Sequence, residues 1–389
     1  MPSKLFTDED KNALLSVLQS EKLHLGEQVN KFEQAFADYV GVKHAVAVSS
    51  AAAGLHISLL AAAVGPSEEV IVSPIAPVAG PNAVFYQKGV NTFADVDPST
   101  GNVDAKDVVA RINDKTKAVL VHHYAGNPCD LQPVLDGVKD RDIAVIVDAS
   151  HGLGAQYRGR SVASWGDMVV FSFGPGNHIY TGDGGMIATN SADLAQWLRM
   201  FRDEGLVKDP HLLTKDIGLW HYEMQDLGYA YRMTELQAAL GLSQLERIDQ
   251  IIQRRTAIAY QYNDAFGALP QLQIPQWQPD TIPAWGMYPL QLKSAELVTA
   301  KRKIFAELKA SGIDVDVQYY PVFSHPYYLW AGHPDICTLE GSRAPKAEEF
   351  YQRVLLLPIN HSLADREIKP IIDTTYQVIN KIFNKQNRP

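Results

Sequence analysis

Three polar side chains each lie at the end of a short apolar run of the sequence, just before a loop. Ser49, Asp148 and Ser172 each end such a run. Ligands of parallel α/β sheets collect outside the C-terminal ends of the strands, so these positions are candidates for a binding site. A carboxylate at such a place either pairs with a ligand cation or caps the strand, and a serine either donates to an anion or closes a turn.

The elements that carry these side chains are predicted from hydrophobic periodicity. Short apolar runs alternate with helix-length segments, at residues 45–49, 70–73, 91–95, 118–122, 143–148 and 168–173. Runs of this length separated by crossovers indicate parallel strands with helices on both faces of one sheet. The N-terminal segment 7–41 has the spacing of two helices that precede the sheet.

The C-terminal third has a different organisation. A long helix is predicted over 234–266, and a proline-rich stretch at 269–283 interrupts the pattern. Beyond it a strand over 287–292, a helix over 295–311 and a strand over 314–319 indicate a smaller α+β domain. We therefore predict a large domain at 1–260 and a small domain at 261–389.

Composition excludes several classes of function. The chain has 389 residues, 46% of them hydrophobic, and a formal net charge of −9, which gives no support for binding nucleic acid or an acidic membrane surface. Cys129 and Cys337 have no metal-ligand spacing and indicate a reducing compartment. No signal sequence or membrane-length apolar run is present, so we expect a cytoplasmic protein that binds small molecules and protein partners.

Several collinear motifs resemble one enzyme family. They read DASHGLGA at 148–155, VFSF at 170–173, TGDGG at 181–185, YEMQDLGY at 222–229, YRMTELQAALG at 231–241 and VQYYPV at 317–322. Together they resemble the DegT-type sugar-nucleotide aminotransferases, and most closely the branch that aminates UDP-4-keto-6-deoxy sugars on the way to pseudaminic acid. The match covers nearly the whole chain.

The resemblance implies a fold, a cofactor and a partner. The expected fold is α/β, that of a fold-type I aminotransferase dependent on pyridoxal phosphate. It has a three-layer large domain with a mostly parallel seven-stranded sheet, and a small C-terminal α+β domain. The expected substrate is a nucleotide-linked sugar, and the expected assembly is a homodimer with the site at the interface.

The resemblance also assigns roles to individual residues. Asp148 corresponds to the carboxylate that pairs with the cofactor's ring nitrogen, which makes the ring an electron sink. His151 corresponds to the residue that meets the ring hydroxyl, and Ser172 to the serine that hydrogen-bonds the phosphate. A lone histidine is more often structural, and a serine after a strand is often a turn hydroxyl.

The sequence departs from the family where the cofactor lysine is expected. With spacing intact across 171–185, Asn177 occupies the lysine position. An amide forms no imine and carries no proton, so ordinary transamination is not expected, and any pyridoxal phosphate or pyridoxamine phosphate would be bound non-covalently. His178 is adjacent and could act as a general base, although neighbouring side chains in an extended segment point to opposite sides.

Four further positions differ from the family pattern. Ala51 and Ala52 replace a glycine and a hydroxyl residue in the phosphate loop, and Pro77 replaces the aromatic residue that stacks on the ring. Ala230 replaces an asparagine that the second subunit contributes to the phosphate. The fourth position is residues 24–26, HLG, where the family has TQG at the substrate mouth.

Three functions remain open on the sequence alone. The first is a catalytically silent or repurposed homologue that binds a nucleotide sugar or a partner. The second is an enzyme of altered chemistry, such as a 3-dehydratase of nucleotide-linked 4-keto-6-deoxy sugars, in which a family precedent replaces lysine by histidine. The third is ordinary transamination, either by a base that the motifs do not identify or in a different register around the lysine position.

Overall fold

Parallel strands and the helices between them make up most of the chain. The computed structural model describes residues 5–24, 26–215, 217–330 and 344–386. The strands are β1 His44–Val48, β2 Glu69–Val72, β3 Val90–Phe93, β4 Thr116–His122, β5 Ala144–Asp148, β6 Gln156–Tyr157, β7 Arg160–Ser161, β8 Met168–Ser172, β9 Gly185–Thr189, β10 Leu206–Val207, β11 Glu223–Met224, β12 Leu272–Gln273, β13 Thr281–Ile282, β14 Tyr288–Leu292 and β15 Val354–Leu357.

Helices connect these strands. The α-helices are α1 Asp8–Gln19, α2 Gln28–Val40, α3 Ala51–Ala61, α4 Ala79–Tyr86, α5 Ala105–Arg111, α6 Gln132–Val138, α7 Ala192–Arg202, α8 Glu235–Leu245, α9 Ile248–Phe266, α10 Ala295–Thr299, α11 Lys301–Ala310, α12 Pro326–Trp330, α13 Pro345–Arg353 and α14 Asp365–Gln386. Short 3₁₀ turns lie at Tyr124–Gly126, Val162–Ser164 and Val322–Ser324.

One seven-stranded sheet organises the large domain. Its order is β1-β9-β8-β5-β4-β2-β3, and β9 runs antiparallel to both of its neighbours. The other adjacent pairs are parallel. The mostly parallel seven-stranded sheet is therefore confirmed. Each of the six predicted apolar runs is a strand of it, within two residues at both ends.

Helices cover both faces of this sheet. Alternate residues of β1 enter different apolar clusters: Ala45 and Ala47 pack in the cluster that holds Phe32 and Phe36 of α2. Val46 and Val48 pack in the other cluster, which includes buried residues of α3 and α4. Because successive strand residues point to opposite faces, the two clusters are the two interlayers of a helix–sheet–helix sandwich.

A smaller antiparallel sheet, in the order β12-β14-β15, lies in the C-terminal part. Its apolar cluster includes Tyr288 of β14, Ile379 of α14 and Phe266 at the end of α9. The smaller α+β domain is thus present. The boundary near residue 260 falls inside α9 and stays a prediction.

Three predicted elements differ from the structure. The helix over 234–266 is two helices, because Arg247 leaves the helical conformation between α8 and α9 and its Nη2 pairs with Oδ2 of Asp10 at 2.5 Å. The helix over 295–311 divides at Ala300 into α10 and α11. The strand over 314–319 is absent, since only Asp316 bridges to Leu356 of β15.

Candidate functional site

The C-terminal ends of four parallel strands meet at one edge of the large sheet. Ser49 follows β1, Ser172 ends β8, Asp148 ends β5 and His122 ends β4. The structure therefore brings the three predicted polar side chains to a common edge. His122 lies at the same edge but was not predicted as a site residue. Its position at the end of an apolar run could have identified it.

Asp148 is a buried and ionised carboxylate. Its Oδ1 accepts hydrogen bonds from Ser150, from N at 3.0 Å and from Oγ at 2.5 Å, and its Oδ2 lies 3.1 Å from Nδ1 of His122. Burial acts to raise the pKa of Asp148, but His122 and the hydrogen bonds from Ser150 outweigh it and lower the pKa to about 2. A carboxylate in this state suits pairing with a cationic ring nitrogen.

The start of α3 lies at the same edge and has the N-terminal donors that an anion can bind. Ser50 caps this 11-residue helix through Oγ, which accepts from the N–H of Ala53 at 3.1 Å. The backbone N–H groups of Ala51 and Ala52 precede that capped position and belong to the helix N-terminus, where the macrodipole favours a phosphate. Ala51 is half-buried and Ala52 is exposed. Their methyl side chains donate no hydrogen bond, so their backbone N–H groups are the donors that an anion could contact here.

A glycine lets this helix approach the sheet. Gly185 of β9 pairs with Val48 on one side and Ser172 on the other. A Cβ at Gly185 would lie 2.8 Å from N of Ala51, closer than side-chain carbons approach. The glycine in the 181–185 motif therefore allows the N-terminus of α3 to lie against the start of β9, next to the strand that Ser172 ends.

Ser172 has a local hydrogen bond of its own. The side chain is half-buried, and its Oγ accepts from the backbone N–H of Gly174 at 3.2 Å. This is the turn contact considered for it from the sequence. A hydroxyl that accepts in the turn still has its proton to donate, so the geometry allows a phosphate contact as well.

Asn177 is buried in the loop that joins β8 to β9, with 7% of its surface exposed. Its Oδ1 makes no hydrogen bond of good geometry with the described residues. No lysine occurs between Lys139 and Lys208, a span that includes β5, β8 and β9. A shift of register within this loop therefore cannot place a lysine in the site. A buried amide oxygen without a hydrogen bond of good geometry can accept one from a ligand.

His178 is buried and hydrogen-bonded within the protein. Its Nε2 donates to the carbonyl of Ala284 at 2.6 Å, and 1% of the residue is exposed. Burial lowers the pKa of His178 well below its usual value, so the ring is neutral. This contact favours the packing interpretation of His178 over the role of general base.

His151 lies beside Asn177 and is joined to the small domain. A 2.8 Å hydrogen bond connects its Nε2 to the hydroxyl of Tyr319. Burial lowers the pKa of His151 to about 3, and the Asn177 side chain acts in the opposite direction, so the two side chains face each other. Tyr319 was not singled out from the sequence, although it lies in the VQYYPV motif at 317–322.

Arg255 fixes the loop that carries Asn177. This fully buried guanidinium donates to the carbonyls of Gly176 at 2.7 Å, Asn177 at 3.1 Å, Trp285 at 3.2 Å and Gly286 at 3.1 Å. Burial lowers its pKa to about 10, so it remains charged at neutral pH. No ion pair to a carboxylate is formed within the described residues. Arg255 was not identified from the sequence, although it lies within the helix predicted over 234–266.

The remaining predicted residues lie further along the edge. Pro77 is half-buried in the loop after β2, and β4 separates that strand from β5. Ala230 is exposed, and the next residue, Tyr231, accepts from the N–H of Ser49 at 2.7 Å through its carbonyl. Position 230 thus adjoins the phosphate loop of its own chain. Its contribution to a second subunit stays a prediction.

Other sites expected or excluded from the sequence can be checked in part. Within the described ranges no group of histidine, cysteine and acidic residues could hold a metal ion. The same ranges contain no helix long and apolar enough to span a membrane. Cys129 is buried, and burial raises the pKa of its thiol to about 12. Cys337 and Leu25 lie outside the described residues.

Replacing Arg255 by methionine tests the anchoring of this loop. We expect Arg255→Met to lower the free energy of unfolding by about 2–4 kcal/mol, because buried carbonyls lose charged donors. Arg254→Met is the matched control one residue away. Arg254 pairs with the exposed Asp365 and donates to the carbonyl of Leu363, so we expect a loss of about 1 kcal/mol or less. Urea denaturation measures both, and equal losses would contradict the assignment.

Comparison with known proteins agrees with this geometry. The chain is 34% identical to the spore coat polysaccharide biosynthesis protein SpsC of Bacillus subtilis, covering 96% of this chain and 95% of that protein. It is 34% identical to GDP-perosamine synthase of Caulobacter vibrioides, covering 91% of each. It superposes on Helicobacter pylori PseC, an aminotransferase involved in the biosynthesis of pseudoaminic acid, with a TM-score of 0.87, 28% identity and 97% of both chains covered. Residues 5–375 match the DegT/DnrJ/EryC1/StrS aminotransferase family, and the chain belongs to that family.

Proposed function

We propose that this chain is an enzyme that acts on a nucleotide-linked 4-keto-6-deoxy sugar and uses pyridoxal phosphate or pyridoxamine phosphate without a covalent link. The family binds these cofactors and uses nucleotide-sugar substrates. The observation that carries the proposal is the ionised Asp148, kept at a sheet edge where the sequence has Asn177 and no lysine between residues 140 and 207. Dehydration at C3 of the sugar is the reaction that best fits an ionised Asp148 combined with the absence of the lysine.

Four features of the edge fit the cofactor. Asp148 would pair with the ring nitrogen, and the amides of Ala51 and Ala52 with the hydroxyl of Ser172 would hold the phosphate. Oδ1 of Asn177, which is buried and makes no hydrogen bond of good geometry with the described residues, would accept a hydrogen bond from the exocyclic amine of pyridoxamine phosphate. When bound, the cofactor supplies the electron sink for bond cleavage next to the sugar carbonyl.

Proton movement needs a group other than lysine. Nε2 of His178 is already hydrogen-bonded to the carbonyl of Ala284. His151 is the imidazole that faces Asn177. Its lowered pKa makes it a weak base in the protein alone. The negative charge of a bound phosphate would raise that pKa, and Tyr319 would keep the ring oriented.

Two other interpretations are less well supported. The comparisons give no support for a catalytically silent homologue, and a buried carboxylate kept ionised favours a working cofactor site. Ordinary transamination requires a lysine that the stretch from 140 to 207 does not contain. Both remain outcomes of the test below.

Product analysis distinguishes the three functions. With pyridoxamine phosphate and a UDP- or GDP-linked 4-keto-6-deoxy sugar, we expect the sugar to be consumed without release of an amino sugar. Asp148→Asn should abolish this turnover, because an amide does not stabilise a protonated ring. Asn177→Lys should recover little transamination, since Ala52, Pro77 and Ala230 remain changed. Release of an amino sugar by the unmodified chain would identify a transaminase, and sugar binding without turnover would indicate a silent homologue.

We also propose a homodimer with the site at its interface. Segment 206–227 includes the β10–β11 hairpin and exposes many large apolar side chains: Leu212, Ile217, Leu219, Trp220, Tyr222, Met224 and Leu227. Trp220 is 77% exposed and Leu227 is 66% exposed. Large apolar side chains exposed in this number along one segment are typical of a protein interface. The segment adjoins Ala230 and the phosphate loop, so a second copy packed here would border the site.

Sedimentation analysis tests the dimer. We expect the unmodified chain to sediment at twice the chain mass, and Trp220→Glu to dissociate it because a carboxylate would be buried in the interface. Tyr376→Glu is the control, since Tyr376 is 46% exposed on α14. It should leave the dimer intact. A monomeric unmodified chain would contradict the proposal.

A further inference from the structure

Three arginine side chains line one pocket where α9 and α14 begin. The pocket has a volume of about 600 Å³, and its lining includes Arg247, Arg254 and Arg366. This volume is in the range of small-molecule sites. The chain carries a formal net charge of −9, so a group of three guanidiniums around one cavity is unusual for it. None of the residues assigned to the Asp148 edge belongs to this lining.

Helical spacing places two of these arginines on one face of α9. Arg247 is the N-cap residue, Arg254 follows seven residues later, and Gln250 and Ile251 between them also line the pocket. Residues spaced by three, four and seven share a face of an α-helix. A rise of about 1.5 Å per residue separates Arg247 from Arg254 by about 10 Å along the axis, which suits an extended ligand better than a single small ion.

The start of α14 adds backbone donors to the pocket. This helix is 22 residues long, and its first two residues, Asp365 and Arg366, line the cavity. The first N–H groups of a helix have no acceptor within it, and the helix macrodipole favours an anion there. Arg366 is exposed and forms no ion pair with a carboxylate of the described residues. Its guanidinium is therefore available to a ligand.

Two acidic residues beside the pocket already have partners. Asp10 is buried, and its oxygens accept from the two Nη atoms of Arg247 at 2.8 and 2.5 Å. Oε2 of Glu367 accepts from the backbone N–H of Ala364 at 2.8 Å. Neither carboxylate lines the cavity. Asp10 offsets the charge of Arg247, so the other two arginines are the principal groups for a ligand.

Asp365 is the one carboxylate among the described residues of the lining. Its Oδ1 pairs with Nη1 of Arg254 at 2.6 Å, and its side chain is 82% exposed. An exposed ion pair contributes little to stability, so a ligand anion can compete for this guanidinium at small cost. The lining thus holds three guanidinium groups and one carboxylate, and the backbone amides of α14 add to its positive field.

The environment of His361 indicates the sign of that field. This residue also lines the pocket, and burial lowers its pKa to about 4. The charges of Arg255 and Arg247 lower the pKa of His361 further, and Asp10 opposes them with a smaller effect. Positive charge around the ring therefore exceeds negative charge, which favours a bound anion.

We propose that this pocket binds a phosphate-bearing small molecule at a site separate from the Asp148 edge. The phosphate contacts Arg254, Arg366 and the first amides of α14, because guanidinium groups and helix N-termini both bind phosphate oxygens through N–H donors. The rest of the molecule extends along Gln250 and Ile251. The site does not depend on the proposed cofactor chemistry.

Calorimetric titration with inorganic pyrophosphate tests the proposal. The full chain is first saturated with pyridoxamine phosphate, which occupies the donors at the start of α3, and is then titrated at pH 7.5 in low salt. We expect one pyrophosphate per chain. Arg366→Gln should weaken binding at least about tenfold through loss of charged donors.

Arg302→Gln is the matched control. Arg302 is also an exposed arginine of the small domain and forms no ion pair with a described carboxylate, but it does not line this pocket. Its replacement makes the same change in net charge. It should alter the dissociation constant of pyrophosphate less than about twofold, because a distant surface charge is screened.

Asp365→Asn tests the opposite sign. The change removes the carboxylate from the lining and releases Arg254, so pyrophosphate should bind at least about threefold more tightly. The side chains replaced in all three variants are exposed, so melting temperatures should stay within a few degrees of the unmodified protein.

UDP is the second probe and distinguishes the sources of the phosphate. Displacement of pyrophosphate by UDP with tighter binding would identify an organic diphosphate, and equal or weaker binding would identify the inorganic ion. No saturable binding of pyrophosphate, equal dissociation constants for the unmodified chain and Arg366→Gln, or weaker binding by Asp365→Asn would overturn the proposal. If pyridoxamine phosphate does not bind, the untreated chain gives the same comparison, because neither Arg366 nor Asp365 belongs to the Asp148 edge.

Discussion

Burial of the Asp148 carboxylate is the constraint on which the site depends. Removing an ionised carboxylate from water costs several kcal/mol, and the cost is recovered only by charged or hydrogen-bonded partners. His122 and Ser150 supply such partners from β4 and from the turn after β5. Because His122 and Asp148 end the neighbouring strands β4 and β5, the order of strands in the sheet determines which charged groups meet at the edge. Asp148 retains further acceptor capacity toward a ligand cation.

The anion end of the site depends on the reversal of one strand. β9 lies between β1 and β8 and runs opposite to both. Its first residue, Gly185, therefore reaches the edge from which the parallel strands point outward. Without a side chain it allows α3 to begin against the start of β9, next to the strand that Ser172 ends. The loss of a glycine and a hydroxyl at Ala51 and Ala52 changes side chains but leaves these backbone donors in place.

Most of the sheet could be predicted from the sequence, because buried parallel strands are continuous apolar runs that end in polar residues. β9 was not among these runs, since it begins at the second glycine of the Gly184–Gly185 pair, and such a pair is typical of a loop. The division of the helix at Arg247 depends on a contact with Asp10, more than two hundred residues away, which local periodicity does not contain. The strand predicted over 314–319 is absent for a similar reason. The carbonyl of Gln318 accepts from the hydroxyl of Tyr124, and the hydroxyl of Tyr319 bonds to His151, and both partners are distant in sequence.

The candidate site could also be predicted from the sequence only in part. Asp148, His151, Ser172 and Asn177 could be located from motifs, since strand ends and glycine turns are local features. The residues that contact them could not be located from motifs. His122, Tyr319 and Arg255 act through contacts between separate elements, and the neutral, packed state of His178 follows from its bond to Ala284. Long-range contacts thus decide which of two adjacent residues faces the site.

Equilibrium binding of pyridoxamine phosphate is the most direct test of the central claim, that the edge at Asp148 holds a cofactor without a lysine. Calorimetric titration of cofactor-depleted protein should give one site per chain. Asp148→Asn should weaken binding at least about tenfold, which corresponds to about 1.4 kcal/mol for loss of the charged ring contact. Absence of binding by the unmodified chain, or equal dissociation constants for the two proteins, would contradict the claim.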